Sequence, residues 1–151
     1  DSRAYLLRDG EFTRETRDDS YVQALVDHGI IPPEAAQAHP RRNIITASLG
    51  GAEGDVVSVA ERPPVTGDRW VLCSDGLTDY VPEADVARLV AEAVDPRSAA
   101  AAAVALAVEA GTRDNVTVVV CDVVDDDETA GTDPVFFGSA ARWFAEDVET
   151  A

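Results

Sequence analysis

Trp70-Val71-Leu72-Cys73-Ser74-Asp75-Gly76-Leu77-Thr78-Asp79 is the stretch from which the architecture of this 151-residue chain is read. Its first four residues are apolar and suit a core strand, and Asp75-Gly76 then turns the chain sharply out of it. A second stretch mirrors the first. Thr112-Arg113-Asp114-Asn115 leads into Val116-Thr117-Val118-Val119-Val120, and the β-branched run to Val123 predicts a strand covered on both faces or nearly so. Each strand therefore carries an aspartate at its mouth. An unpaired buried carboxylate costs several kcal/mol. A hard divalent cation such as Mg²⁺ or Mn²⁺, which takes oxygen ligands, is the usual compensation. A metal site is the first expectation.

Outward from these strands, the pattern gives the remaining elements. Residues 3–8 and 11–16 alternate around Asp9-Gly10, which predicts a β-hairpin. Ser20 caps a helix through Val22, Leu25 and Val26 that stops at Gly29. Pro32-Pro33-Glu34 opens a second short helix, ended by His39-Pro40. Ile44-Ile45-Thr46 and Asp55 to Val59 read as strands joined through Gly50-Gly51. Pro82 starts an amphipathic helix with Val86, Leu89, Val90 and Ala93 on one face, and Pro96 starts an Ala-rich one that Gly111 terminates. Hairpin connections and grouped helices predict an α+β sandwich with antiparallel sheets. The acidic run Asp125-Asp126-Asp127-Glu128 marks the expected edge of a domain over 1–124, with 125–151 as linker and tail.

Composition narrows the partners. Twelve basic against 29 acidic residues give a net charge of −17, which repels nucleic acid and anionic membrane. No leader or membrane-spanning run is present, so the chain reads as cytoplasmic, with an anchor beyond Ala151 left open. Cys73 and Cys121 lie in strand-like runs without metal or redox spacing and read as small buried hydrophobes. The chain has no methionine and opens on Asp1 directly into a strand, so it reads as a piece of something longer. His28, near a helix end, and His39, before a proline, read as structural. Arg41 and Arg42 read as structural or salt-bridging cations, with assistance to an anionic ligand as the alternative.

Five segments in order carry a resemblance. Asp1-Ser2-Arg3-Ala4-Tyr5, Thr16-Arg17-Asp18-Asp19-Ser20, His39-Pro40-Arg41-Arg42-Asn43, Ser74-Asp75-Gly76-Leu77 and Thr112-Arg113-Asp114-Asn115-Val116-Thr117-Val118 together resemble the metal-dependent, type-2C (PPM) protein phosphatases, specifically the bacterial serine/threonine enzymes. The resemblance covers residues 1 to about 124, the C-terminal half or so of the family's catalytic domain. It implies part of a four-layer α-β-β-α sandwich and hydrolysis of phosphorylated Ser/Thr proteins by metal-activated water. It implies two catalytic Mn²⁺ or Mg²⁺ ions and a weaker third, and leaves a cognate kinase open as a partner. Asp75 and Asp114 match ligands of one catalytic metal; Asp1, Asp75 and Asp79 match those of the third ion. The family's first-half ligands and its phosphate-gripping arginine have no counterpart here. Relatives commonly show Asp-His-Ser and Thr-Arg-Ala-Leu-Gly where this chain has Asp18-Asp19-Ser20 and Thr46-Ala47-Ser48-Leu49-Gly50. Two other readings stand beside the phosphatase: a non-catalytic module of the same fold, and a plain acidic cation-binding domain. The second is disfavoured because residues 125–128 lack any regular ligand spacing.

Overall fold

The computed structural model describes residues 1–48, 50–51, 55 and 58–125. Its centre is one four-stranded antiparallel sheet in the order β2-β1-β3-β4, built from β1 (Arg3–Arg8), β2 (Glu11–Arg14), β3 (Arg69–Cys73) and β4 (Val118–Asp122). The hairpin turns at Asp9-Gly10, both at positive φ (52° and 82°), the left-handed pair that matches the twist of flanking strands. β1 then lies between β2 and β3, with Tyr5 opposite both Arg14 and Val71. In the register of β3 with β4, Cys73 faces Val118.

Period-2 alternation sorts the strand residues onto two faces. Tyr5, Val71 and Cys73, with Val118 and Val120, pack against helices α3 (Asp75–Thr78), α4 (Glu83–Glu92) and α5 (Pro96–Glu109). Tyr5 stacks on Phe12 across the hairpin, ring centroids 4.9 Å apart. α4 presents Val86 and Val90, as its 3.6-residue period predicts. α5 buries Ala99, Ala103 and Ala107 at four-residue spacing, a stripe small enough for close packing beside α4 and β4. Asp95 and Ser98 cap its N-terminus reciprocally ahead of Pro96. The other face of the sheet is open over β3 and β4 among the described residues, where Leu72 and Val119 are each 49% exposed, although Leu6 of β1 on that face is buried.

That open face corrects two expectations. β4 is shorter than 116–123 and covered on one side only, so its β-branched run reflects strand propensity more than double burial. Cys121 is accordingly exposed, whereas Cys73 is buried. The strand expected over 44–46 reduces to an isolated bridge between Ser20 and Ile45, because Ile44 and Ile45 are about half exposed and meet no sheet among the described residues. Of 55–59, residues 56 and 57 lie outside the described set, while Asp55, Ser58 and Val59 have no regular structure. The expected linker and tail at 125–151 lie, beyond Asp125, outside the described residues.

Between β2 and β3 the chain forms α1 (Tyr21–Asp27), capped by Ser20 as expected, and α2 (Pro33–Ala36). Two buried carboxylates tether this excursion. Asp18 receives three N–H···O contacts of 2.7–3.1 Å from Arg3. Asp68, with a fully buried side chain, takes two 2.7 Å bonds from Arg8 and one from the Val65 N–H. The Arg8 guanidinium holds the Asp68 carboxyl below the usual range, overcoming the opposing effect of burial. Because the folded pKa is depressed, this contribution to stability is present above the unfolded carboxyl value and is lost as pH falls through the folded one. Urea midpoints measured from pH 7 to pH 3 should therefore fall less steeply for Asp68→Asn than for the parent, from a lower starting value at pH 7. Parallel pH curves would remove Asp68 from this role.

Candidate metal-binding site

Ser74 leaves β3 in an extended conformation (φ −79°, ψ 165°) and the chain enters α3 at Asp75. The Ser74 hydroxyl does not cap this helix. It accepts from the Thr117 N–H at 3.0 Å and donates to the Asn115 carbonyl at 3.1 Å, while the Ser74 N–H donates to the Thr117 carbonyl at 3.0 Å. From the other side, the Thr112 hydroxyl donates to the Gly76 carbonyl at 2.9 Å. The Asp75 loop and the Asp114 loop are thus stitched together at both ends. Gly76 permits this approach. A Cβ there would overlap the Asn115 carbonyl, with its carbon only 2.9 Å away.

Asp75 is half-buried and its carboxylate makes neither hydrogen bond nor ion pair with the described residues. Asp114 is exposed, and its Oδ1 accepts from the Asn115 N–H at 2.6 Å. Its neighbour Arg113 is exposed and pairs with no described carboxylate; Thr112 and the Asn115 backbone hold the loop. Burial of the carboxylates, the starting premise for a metal, is therefore partial at Asp75 and absent at Asp114.

Asp79 closes α3 one turn after Asp75, its N–H donating to the Asp75 carbonyl at 2.8 Å. Burial pushes its carboxyl up, the Asp75 charge adds to this, and Arg42, 3.7 Å away, opposes it. Asp1 and Asp79 line one cavity, and Asp1 Oδ1 is buried without a hydrogen-bond partner. An unpaired carboxylate at Asp75 and an orphaned oxygen at Asp1 fit the oxygen-donor chemistry of a hard cation. Among the described residues no three His, Cys, Asp or Glu side chains converge closely enough to enclose one. Asp1 and Asp75 thus offer donors of the right kind, and the described residues do not complete a coordination shell.

The motif reading named the acids and passed over the residues that place them. Ser74 and Thr112 stood inside the quoted motifs, and a hydroxyl beside each acid was the available signal. The histidines sit apart from this site. His28 Nδ1 contacts the Ala24 carbonyl at 2.7 Å at the end of α1, and a ring nitrogen of His39 accepts from the Arg41 N–H.

No family model matches the chain. Its relatives are informative. It is 44% identical over 141 residues to the serine/threonine protein phosphatase PstP of Mycobacterium tuberculosis, covering 93% of this chain and 27% of PstP. It is 38% identical over 123 residues to the serine/threonine phosphatase stp of Listeria innocua, covering 81% of this chain and 48% of that protein. The fold superposes on the catalytic domain of PstP in complex with two manganese ions with a TM-score of 0.74 at 44% identity, over 83% of this chain and 51% of that one. The chain thus spans about half the length of that domain. By sequence and fold it is homologous to the PPM-type class of bacterial serine/threonine phosphatases. Within that class it corresponds to about the C-terminal part of the catalytic domain, with PstP among its similar members.

Proposed function

We propose that this chain supplies the C-terminal part of a catalytic domain that hydrolyses phosphoserine and phosphothreonine in proteins, with Asp75 and Asp114 holding one Mn²⁺ or Mg²⁺. The observation that carries the reading is the stitch through Ser74, which fixes two carboxylate-bearing loops from adjacent strands against each other. Asp79 and Asp1, on their shared cavity, would serve a further, weaker ion together with Asp75. A cation bound there would supply Lewis acidity for activating water and neutralising phosphoryl oxygens. The chain's own part is positional. Ser74 and Thr112 keep the acids from drifting, and α3 sets Asp75 and Asp79 one turn apart on a common side. Neither cysteine is needed for such chemistry, and Cys73 is buried under α3 and α4.

The substrates would be phosphorylated proteins, and a cognate serine/threonine kinase would write the phosphate removed. No helix among the described residues is long and apolar enough to cross a membrane, which is compatible with a cytoplasmic site of action. Because the described carboxylates do not enclose an ion by themselves, the reading is tested on the domain completed to the length of its relatives. Hydrolysis of a phosphothreonine peptide should need Mn²⁺ or Mg²⁺, vanish with a chelator and return with excess metal. The 151-residue chain alone should show no metal-dependent turnover. Chelator-insensitive activity would overturn the metal assignment. A completed domain that folds, binds Mn²⁺ and still turns over no phosphopeptide would leave the non-catalytic module as the answer.

A further inference from the structure

The excursion between β2 and β3 closes, against Asp1 and α3, over a cavity of about 330 Å³. The two metal-facing carboxylates Asp1 and Asp79 form one wall of it. Arg14, Gln23, Arg42 and Thr78 also line it, and the metal reading uses none of them. Thr78 is 95% buried, at 5% exposure, and its hydroxyl has no hydrogen-bond partner among the described residues. A buried hydroxyl left unpaired is uncommon, and one that lines a polar cavity is an available donor.

The arginines divide in the same way. Arg3, Arg8 and Arg69 each grip a carboxylate through two nitrogens, and Arg41 lies 5.6 Å over the Tyr21 ring. The Arg42 guanidinium makes no hydrogen bond with the described residues; its nearest acid is Asp79 at 3.7 Å. The Arg14 guanidinium donates one long bond, 3.4 Å, to Gln23 Oε1 and stands 3.7 Å from Asp18, whose two oxygens already serve Arg3. Guanidinium donors are thus left over on this cavity. With Asp1 and Asp79 neutralised by a divalent ion and Asp18 consumed by Arg3, the two guanidinium groups of Arg14 and Arg42 stand against Glu83 alone, and the donors dominate. Such a local cationic surface matters in a chain of net charge −17, which otherwise repels an anionic substrate.

We propose that this cavity is a subsite for a second anionic group, phosphate or carboxylate, a few residues from the phosphorylated residue being hydrolysed. Arg42 and Arg14 pair with it and Thr78 donates from the floor. The inference rests on the phosphatase reading above and names its substrate class: segments phosphorylated twice, or phosphorylated beside an acidic residue.

Three peptides, differing only in whether a neighbour of the phosphothreonine is alanine, glutamate or a second phosphothreonine, test this on the Mn²⁺-loaded completed domain. The doubly anionic peptides should show kcat/KM about tenfold above the alanine peptide, the difference one charge-assisted contact supplies. The phosphate and glutamate arms tell the two sources apart. Arg42→Gln should bring the ratios close to one, and Arg42→Lys should restore part of the preference, which a purely structural role would not do. If Arg42→Gln does not fold, Thr78→Val reads the same ratios. Equal kcat/KM for all three peptides with the parent domain overturns the subsite while leaving the phosphatase reading intact. No hydrolysis of any peptide overturns both.

Discussion

Replacing Gly76 with alanine is expected to destabilise the domain by about 3 kcal/mol, the scale of overpacking against backbone that cannot step aside. Two effects of opposite sign meet at this position. Gly76 lies in α3, and helix propensity alone would have alanine gain about 1 kcal/mol. The added methyl, however, runs into the Asn115 carbonyl, which is itself pinned by the Ser74 hydroxyl. Neither side can yield without breaking the stitch, so the steric term wins. A urea titration of Gly76→Ala should show a clearly lower midpoint, and Mn²⁺ affinity in the completed domain should fall with it, because Asp75 and Asp114 are forced apart. A midpoint equal to or above the parent's would mean that the two loops are not held in contact.

Asp75→Asn should lower turnover of the completed domain on the order of a thousandfold, through loss of a charged ligand to a Lewis-acid cation. Stability without metal should be unchanged or slightly raised. The Asp75 carboxylate takes part in no hydrogen bond or ion pair with the described residues, and its charge faces that of Asp79. A residue that costs nothing to neutralise in the empty fold and everything in the reaction is serving a ligand. Asp114→Asn should behave alike, since an amide oxygen still accepts from the Asn115 N–H. Asp79→Asn should weaken only the outer ion. Steady-state kinetics with Mn²⁺ titrations read all three variants. Near-normal rates for Asp75→Asn or Asp114→Asn would remove that residue from the catalytic set.

Much of this was legible beforehand because the signals are local. The Asp9-Gly10 hairpin, the Ser20 cap and the start of α5 at Pro96 each depend on a few adjacent residues with fixed conformational preferences, and each appears where expected. What failed depends on packing. Ile44 and Ile45 have strand composition, yet the chain there passes Ser20 for one bridge and meets no further strand among the described residues. Val116 to Val123 looked doubly covered because β-branched residues suit strands whether or not both faces are buried. The acids proposed as ligands are read from motif order. The hydroxyls that place them are not, because hydrogen bonds spanning 36 to 43 residues leave no periodic trace in a sequence.

The open sheet face has a further consequence, in chemical rather than structural terms. It leaves Cys121 at the surface while Cys73, on the opposite face of the neighbouring strand, is buried with its thiol pushed up to about 11, chiefly by burial. Thiolate is the reactive form, so Cys73 is protected both by its burial and by its raised pKa, whereas Cys121 lies within reach of reagent. A brief pulse of maleimide marks Cys121 in the native protein, whereas Cys73 takes the label only when the sheet and its helices part. The chain therefore carries its own tracer for unfolding: the fraction of doubly labelled molecules counts how often the core has opened.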